Sequence, residues 1–273
     1  DFLDLDWSAV GSDRLAVLCH GLEGDAHRPY VLGMAAHLNR SGWDVLAWNF
    51  RGCSGQINEK PRFYHAGDTE DLQTVLESAS ERDYAALGLV GFSIGANMVV
   101  RFLGDRNSRI PGTVAGAVAI SAPCDLESST RQLHRLRNRP YLRRFLRLLK
   151  AKVRAKAQRY PGLFDLEYLE RVRDFKQFDD RYTAPLHGFR DAEEYWRESG
   201  SLRALTSIEL PVLMITASND TFLGPECFPF GEATRNDNLF LEVASAGGHV
   251  GFAQRGGGYW SEIRTADFLT GCC

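Results

Sequence analysis

The stretch LGLVGFSIGANMVVRFL, residues 87–103, decides how this chain is read. Leu87 to Val90 is a short apolar run of strand type, and Ile94 to Leu103 carries apolar residues at helical spacing. The polypeptide therefore passes from strand to helix across Gly91-Phe92-Ser93-Ile94-Gly95. Such a tight turn strains the backbone of its central residue and brings other backbone close to its flanks, so Gly91 and Gly95 are needed where a side chain would collide. The Ser93 hydroxyl is thereby raised into the cleft above the sheet. Ser93 is the candidate nucleophile, and the flanking strand and helix distinguish this turn from a chance Gly-x-Ser-x-Gly.

Working outward, further apolar runs occur at Leu15 to Cys19, Val45 to Trp48, Val114 to Ile120, Val212 to Ala217 and Leu239 to Val243. Helical patterns lie between them at Tyr30 to Arg40 after Pro29, and at Thr69 to Arg82 behind Asp68 as N-cap. Alternating strands and helices with nearly continuous apolar strands predict an α/β fold, a mostly parallel doubly wound sheet with sites at the carboxyl ends of its strands. The alternation stops between residues 124 and 205, which read as an inserted helical cap on a core made of residues 1–123 and 206–273. Within the cap, Arg131 to Arg159 holds twelve Lys or Arg and no acid. Leu142, Phe145, Leu146, Leu149 and Val153 form one apolar stripe there, so the segment is predicted to be a basic amphipathic helix.

A serine hydroxyl needs a base, and the base needs a carboxylate to fix its tautomer. In this architecture both follow the serine, each past a later strand. Asp220 stands just past Val212 to Ala217, and His249, in Gly247-Gly248-His249-Val250-Gly251, past Leu239 to Val243. Asp125 is the competing acid, with capping of the first cap helix as its alternative role. His20, in His20-Gly21-Leu22-Glu23-Gly24, suits an oxyanion loop better than a base. The backbone N–H groups of Leu22 and Ile94 are the expected oxyanion donors. Ser54 and Cys53 read as loop residues, and His65 as structural.

The 273 residues carry Lys+Arg 32 against Asp+Glu 35, a net charge of −3, with 44% hydrophobic residues, which excludes a disordered chain. No apolar run is long enough to span a membrane. His27, His37, His134 and His187 show no ligand spacing, and neither a Cys/His cluster nor a phosphate-binding glycine loop is present, so no metal and no cofactor are expected. The six cysteines lack CxxC spacing and read as free thiols. Without a basic, apolar leader the chain reads as cytoplasmic. It opens without Met on Phe2, Leu3, Leu5 and Trp7, a strand already under way, so further residues are expected upstream.

His20-Gly21-Leu22-Glu23-Gly24 with Pro29-Tyr30, Asn49-Phe50-Arg51-Gly52-Cys53-Ser54-Gly55, Tyr64-His65-Ala66-Gly67-Asp68-Thr69-Glu70-Asp71, the turn around Ser93, and Phe178-Asp179-Asp180-Arg181-Tyr182-Thr183-Ala184-Pro185 extend the pattern over nearly the whole chain. In these motifs the sequence resembles the YheT-like esterase branch of the α/β hydrolases. The resemblance implies an α/β-hydrolase fold and a Ser, Asp, His triad that falls on Ser93, Asp220 and His249. It also implies hydrolysis of carboxylic esters, here expected to be short- to medium-chain acyl esters, through an acyl-enzyme. An acyltransferase using the same triad, or a non-catalytic binding protein on the same fold, is the alternative. A small acyl ester is the expected partner. Nucleic acid is not expected, because no stacking motif accompanies the charge. The basic cap either covers the cleft or touches anionic lipid at a membrane periphery.

Overall fold

The computed structural model describes residues 1–273. Its chain runs β1 (Leu5–Ser8), β2 (Arg14–Cys19), α1 (Pro29–Arg40), β3 (Asp44–Trp48), α2 (Thr69–Ser80), β4 (Ala86–Phe92), α3 (Ile94–Gly104) and β5 (Val114–Ile120). Helices then follow without a strand: α4 (Leu126–Leu133), α5 (Arg139–Arg159), α6 (Leu166–Arg171), α7 (Phe175–Phe178), a π-turn over Asp179–Thr183, α8 (Ala184–Leu186) and α9 (Ala192–Ser199). The chain re-enters the sheet at β6 (Val212–Ala217) and closes with α10 (Phe230–Arg235), β7 (Leu239–Ala244) and α11 (Trp260–Cys272). The strands form one sheet in the order β1-β3-β2-β4-β5-β6-β7, antiparallel only between β1 and β3.

Alternate side chains of each strand enter opposite cores, as a pleat requires. Ala16, Leu18, Val90, Val118, Ile120 and Ile215 pack against α1 and α11 through Met34, Leu38 and Leu269. Leu15, Val17, Leu89, Ala117 and Met214 pack on the other side, against Leu72 and Leu76 of α2 and Val99 and Phe102 of α3. Both faces are covered, which is why the central strands read as unbroken apolar runs. Leu146, Leu149, Val153, Phe178 and Trp196 from the helical stretch join the α2 and α3 side.

The structure corrects two local expectations. The basic run from Arg131 to Arg159 is not one helix: α4 ends at Leu133, a turn of 3-10 helix covers Leu136–Asn138, and α5 begins at Arg139. Pro140 has no N–H and its ring fills the space of the preceding turn, so it fits the start of a helix and not its interior. Buried Asn138 secures the break, donating to the Gln132 carbonyl at 2.9 Å and the Thr221 carbonyl at 2.6 Å. Asp68 occupies the N-cap position of α2 but makes no capping bond. Its side chain is buried instead, and burial, reinforced by neighbouring Asp71, pushes its carboxyl up to about 7. No helix is long and apolar enough to cross a membrane.

Candidate active site

The carboxyl ends of β2, β4, β6 and β7 point to one edge of the sheet, and the predicted residues meet there. Ser93 leaves β4 with φ +53 and ψ −119, a region that non-glycine residues enter only under strain. Its N–H donates to the Ile120 carbonyl at 2.9 Å, so the neighbouring strand fixes the turn. A Cβ on Gly91 would lie 2.5 Å from the Ala96 Cα, and one on Gly95 would lie 2.5 Å from the Cys19 carbonyl oxygen. Both contacts are with backbone that cannot move aside, so the two glycines are required sterically.

Asp220 is buried beyond β6, where its Oδ1 accepts from the Phe222 N–H at 2.8 Å. Its Oδ2 lies 2.8 Å from His249 Nδ1, and His249 Nε2 lies 2.8 Å from Ser93 Oγ. The His249 loop is held by Asn219, whose side-chain oxygen accepts from the Gly247 and Gly248 N–H groups at 3.1 and 3.0 Å. The Phe222 ring lies against the imidazole with centroids 4.5 Å apart. With Nδ1 protonated toward Asp220, Nε2 is left as the acceptor facing the serine hydroxyl.

The loop after β2 lies directly over the serine: a Cβ on Gly21 would be 3.3 Å from the Ser93 Cβ. His20 is not a free base. Its Nδ1 bonds to the Gly21 carbonyl at 2.8 Å, its Nε2 accepts from the Phe50 N–H at 3.1 Å, and burial lowers it to about 3. Tyr30 accepts from the Gly21 N–H at 3.0 Å, and Asn49 from the Ala26 N–H at 2.9 Å. The Leu22 and Ile94 N–H groups meet no acceptor within the protein, and both residues line the cavity above Ser93. Two of the sequence motifs meet where Arg51 clamps Asp71, with Nε to Oδ2 at 2.6 Å.

That cavity, about 110 Å³, has Ser93 and His249 in its wall. Apolar side chains dominate the rest, among them Leu22, Phe63, Phe145, Leu149, Phe178 and Phe222. Asp179 also lines it. Its Oδ1 accepts from Thr183 at 2.6 Å and its Oδ2 from the Trp196 indole at 2.8 Å, yet burial pushes the carboxyl up to about 7. His65 lines the same cavity and packs tilted against His187, ring centroids 4.3 Å apart. Burial holds His65 well below the ordinary histidine range and lowers His187 to about 4, so both are neutral at pH 7.

Asp125 lies apart from the triad geometry and caps α4, accepting from the Ser128 N–H at 2.8 Å. Ser54 donates to Asp4 in a surface loop. Nowhere do three His, Cys, Asp or Glu side chains converge as metal ligands would. All six cysteines are free thiols. The sequence reading missed the inward lysines of α5: Lys152 reaches Glu23 at 2.7 Å, and Lys156 donates to the Asn58 carbonyl at 2.7 Å. A signal existed, because both stand three residues after stripe positions Leu149 and Val153 and so lie at the edge of the buried face.

A family model for the alpha/beta hydrolase fold matches residues 16–255. The chain belongs to the α/β-hydrolase family. Within it the chain falls in the YheT-like branch: YheT of Escherichia coli (strain K12) is 37% identical, the match covering 99% of this chain and 82% of YheT. The Medium-chain fatty acid ethyl ester synthase/esterase 2 of Saccharomyces cerevisiae is 27% identical over 94% of this chain, which spans only 62% of that longer protein. Among solved α/β hydrolases, the Pyrococcus furiosus esterase Pf2001 superposes with a TM-score of 0.65, covering 98% of this chain and 85% of its own, at 21% identity. At that identity the likeness is one of fold.

Proposed function

We propose that this α/β hydrolase cleaves carboxylic esters of short- to medium-chain acyl groups through an acyl-enzyme on Ser93. The observation that carries the reading is the pair of 2.8 Å contacts joining Asp220 to His249 and His249 to Ser93 on a strained strand-to-helix turn. His249 Nε2 takes the hydroxyl proton as Ser93 Oγ attacks the ester carbonyl carbon. The carbonyl oxygen becomes an oxyanion that accepts from the Leu22 and Ile94 N–H groups. Asp220 stabilises the imidazolium, which then protonates the departing alcohol oxygen. Water attacks the acyl-serine and gives its proton to His249, which returns it to Ser93 Oγ as the C–O bond to the serine breaks and the carboxylic acid leaves.

The apolar cavity walls suit an acyl chain, and residues 124–205 act in this reading as the cap that shapes them. Alcohol in place of water at the second step makes a new ester on the same machinery. The name of the yeast relative, which covers both synthesis and hydrolysis, favours including that reaction. The cap also carries an unneutralised face. Arg135, Arg137, Arg139, Arg143, Arg144 and Arg147 are exposed and have no acidic partner, while Leu136 and Tyr141 are 73% and 50% exposed among them. Tyr141 packs on Phe222 at 4.8 Å, and Phe222 packs on His249, so this face adjoins the cavity. In the proposed function it meets anionic lipid, since basic side chains interspersed with Leu and Tyr match the charge and depth of a headgroup layer.

A fluorophosphonate is expected to label Ser93, and Ser93→Ala is expected to lose p-nitrophenyl ester hydrolysis. Full activity in Ser93→Ala would reject the mechanism. Product analysis with added ethanol measures the synthetic branch.

A further inference from the structure

Lys152 lies in the most basic stretch of the sequence, yet its side chain is only 11% exposed and that of its partner Glu23 only 4%. Charges leave water at a large cost, and a buried pair persists only where attraction and added hydrogen bonds offset it. Here the compensation is visible. Lys152 Nζ lies 2.7 Å from Glu23 Oε1, 2.9 Å from Cys53 Sγ and 4.7 Å from the centre of the Tyr64 ring. The Tyr64 hydroxyl donates to the same Oε1 at 2.8 Å and accepts from the Glu23 N–H at 2.9 Å. Arg28 donates to the Glu23 carbonyl at 3.0 Å.

These bonds hold Glu23 at φ +52, a conformation a glutamate does not choose unaided. Glu23 directly follows Leu22. Because Tyr64 takes the Glu23 N–H, the free donor beside Ser93 is the Leu22 N–H, and its direction is set between two anchors. One is Tyr30 on the Gly21 N–H; the other is the Glu23 side chain, gripped by α5. None of the groups that bind the oxyanion belongs to α5, yet α5 supplies the charge that fixes the loop.

We infer that Lys152, acting through Glu23, is a positioning residue that holds the Leu22 N–H at the place where the substrate oxyanion forms. The cap helix thereby takes part in transition-state stabilisation as well as covering the cavity. This rests on the Ser93 hydrolase reading and adds a residue to it.

The test compares the parent with Lys152→Met and Lys152→Met/Glu23→Gln, the second of which leaves no unpaired buried charge. In each, p-nitrophenyl butyrate kinetics are measured per active site, titrated to completion with a fluorophosphonate. Inhibition by an alkyl trifluoromethyl ketone, whose hemiketal oxygen occupies the oxyanion position, is measured alongside. Losing a whole oxyanion donor costs roughly 10²–10³-fold in kcat, and a displaced donor keeps part of that. Both variants are therefore expected to lose about tenfold or more in kcat per titrated site, with KM within about threefold of the parent and the ketone weakened as much as kcat/KM. A purely structural role lowers Tm and the titratable fraction and leaves kcat per site unchanged. A kcat within about twofold of the parent in the double variant overturns the inference, whether or not the single variant folds. Ser93→Ala separates the two claims: if it retains full activity the hydrolase reading falls, whereas Ser93-dependent turnover with an undiminished double variant removes only the role of Lys152.

Discussion

Replacing Asp179 by Asn is expected to stabilise the protein at alkaline pH and to change little in acid. The carboxyl is buried beside the cavity and raised from 3.8 to about 7, mainly by burial and only partly offset by the Thr183 and Trp196 hydrogen bonds. In the unfolded chain it ionises near 3.8, whereas the folded protein keeps its proton to near 7. Between these values the folded state binds the extra proton, so stability falls as pH rises, and the cost is complete above pH 7. A gap of about three pKa units corresponds to roughly 4 kcal/mol. Asparagine is neutral throughout and of the same shape. Its oxygen can accept from the Trp196 indole while its amide donates to the Thr183 hydroxyl, so little hydrogen bonding is lost. A gain of about 2–4 kcal/mol at pH 8 follows, which raises Tm by roughly 3–8 °C for a chain of this size. Thermal unfolding of parent and variant from pH 4 to pH 8 measures it. Asp68, also raised to about 7, is present in both proteins and drops out of the difference. A variant less stable than the parent at pH 8, or a difference that does not grow between pH 4 and pH 7, would refute the reasoning.

Three further predictions concern the site and the helical stretch around it. Asp220→Asn places an amide against His249 Nδ1 and favours the wrong tautomer, so kcat is expected to fall by about 10³–10⁴-fold with Tm nearly unchanged; Asp125→Ala, losing only a helix cap, should keep kcat and lose about 1 kcal/mol of stability in urea unfolding. The parent is expected to sediment with phosphatidylglycerol vesicles and not with phosphatidylcholine vesicles, and an Arg143→Glu/Arg144→Glu/Arg147→Glu variant with neither. Equal binding of parent and variant to the anionic vesicles would remove the lipid contact.

The sheet was legible because its central strands are buried on both faces. Val114–Ile120 and Val212–Ala217 end where their apolar runs end. The meeting of Ser93, Asp220 and His249 was legible because each is announced by a local feature: glycines around Ser93, a strand end before Asp220, a glycine-rich loop around His249. What escaped were contacts between distant segments. Lys152 and Glu23 are separated by 129 positions, and although helical spacing puts Lys152 at the edge of the buried face, nothing local names Glu23 as its partner. Asp179 lies within one of the sequence motifs, but its burial depends on Trp196 and Thr183 folding around it. The interruption at Leu136–Asn138 shows the limit of charge counting, since Pro140 set the helix start and the apolar stripe from Leu142 lies wholly after it, while the basic run extended back past it. Asp68 illustrates the same point in reverse: a residue type suited to capping was drawn inward to the Arg51 and Asp71 cluster.

The most direct measurement of the central claim is mass spectrometry of the protein after reaction with a fluorophosphonate, paired with ester hydrolysis by Ser93→Ala. A single adduct on the peptide containing Ser93, blocked by Ser93→Ala and accompanied by loss of p-nitrophenyl butyrate turnover, is the result expected. Absence of any adduct on Ser93, or a Ser93→Ala protein that hydrolyses the ester at the parent rate, would contradict the account.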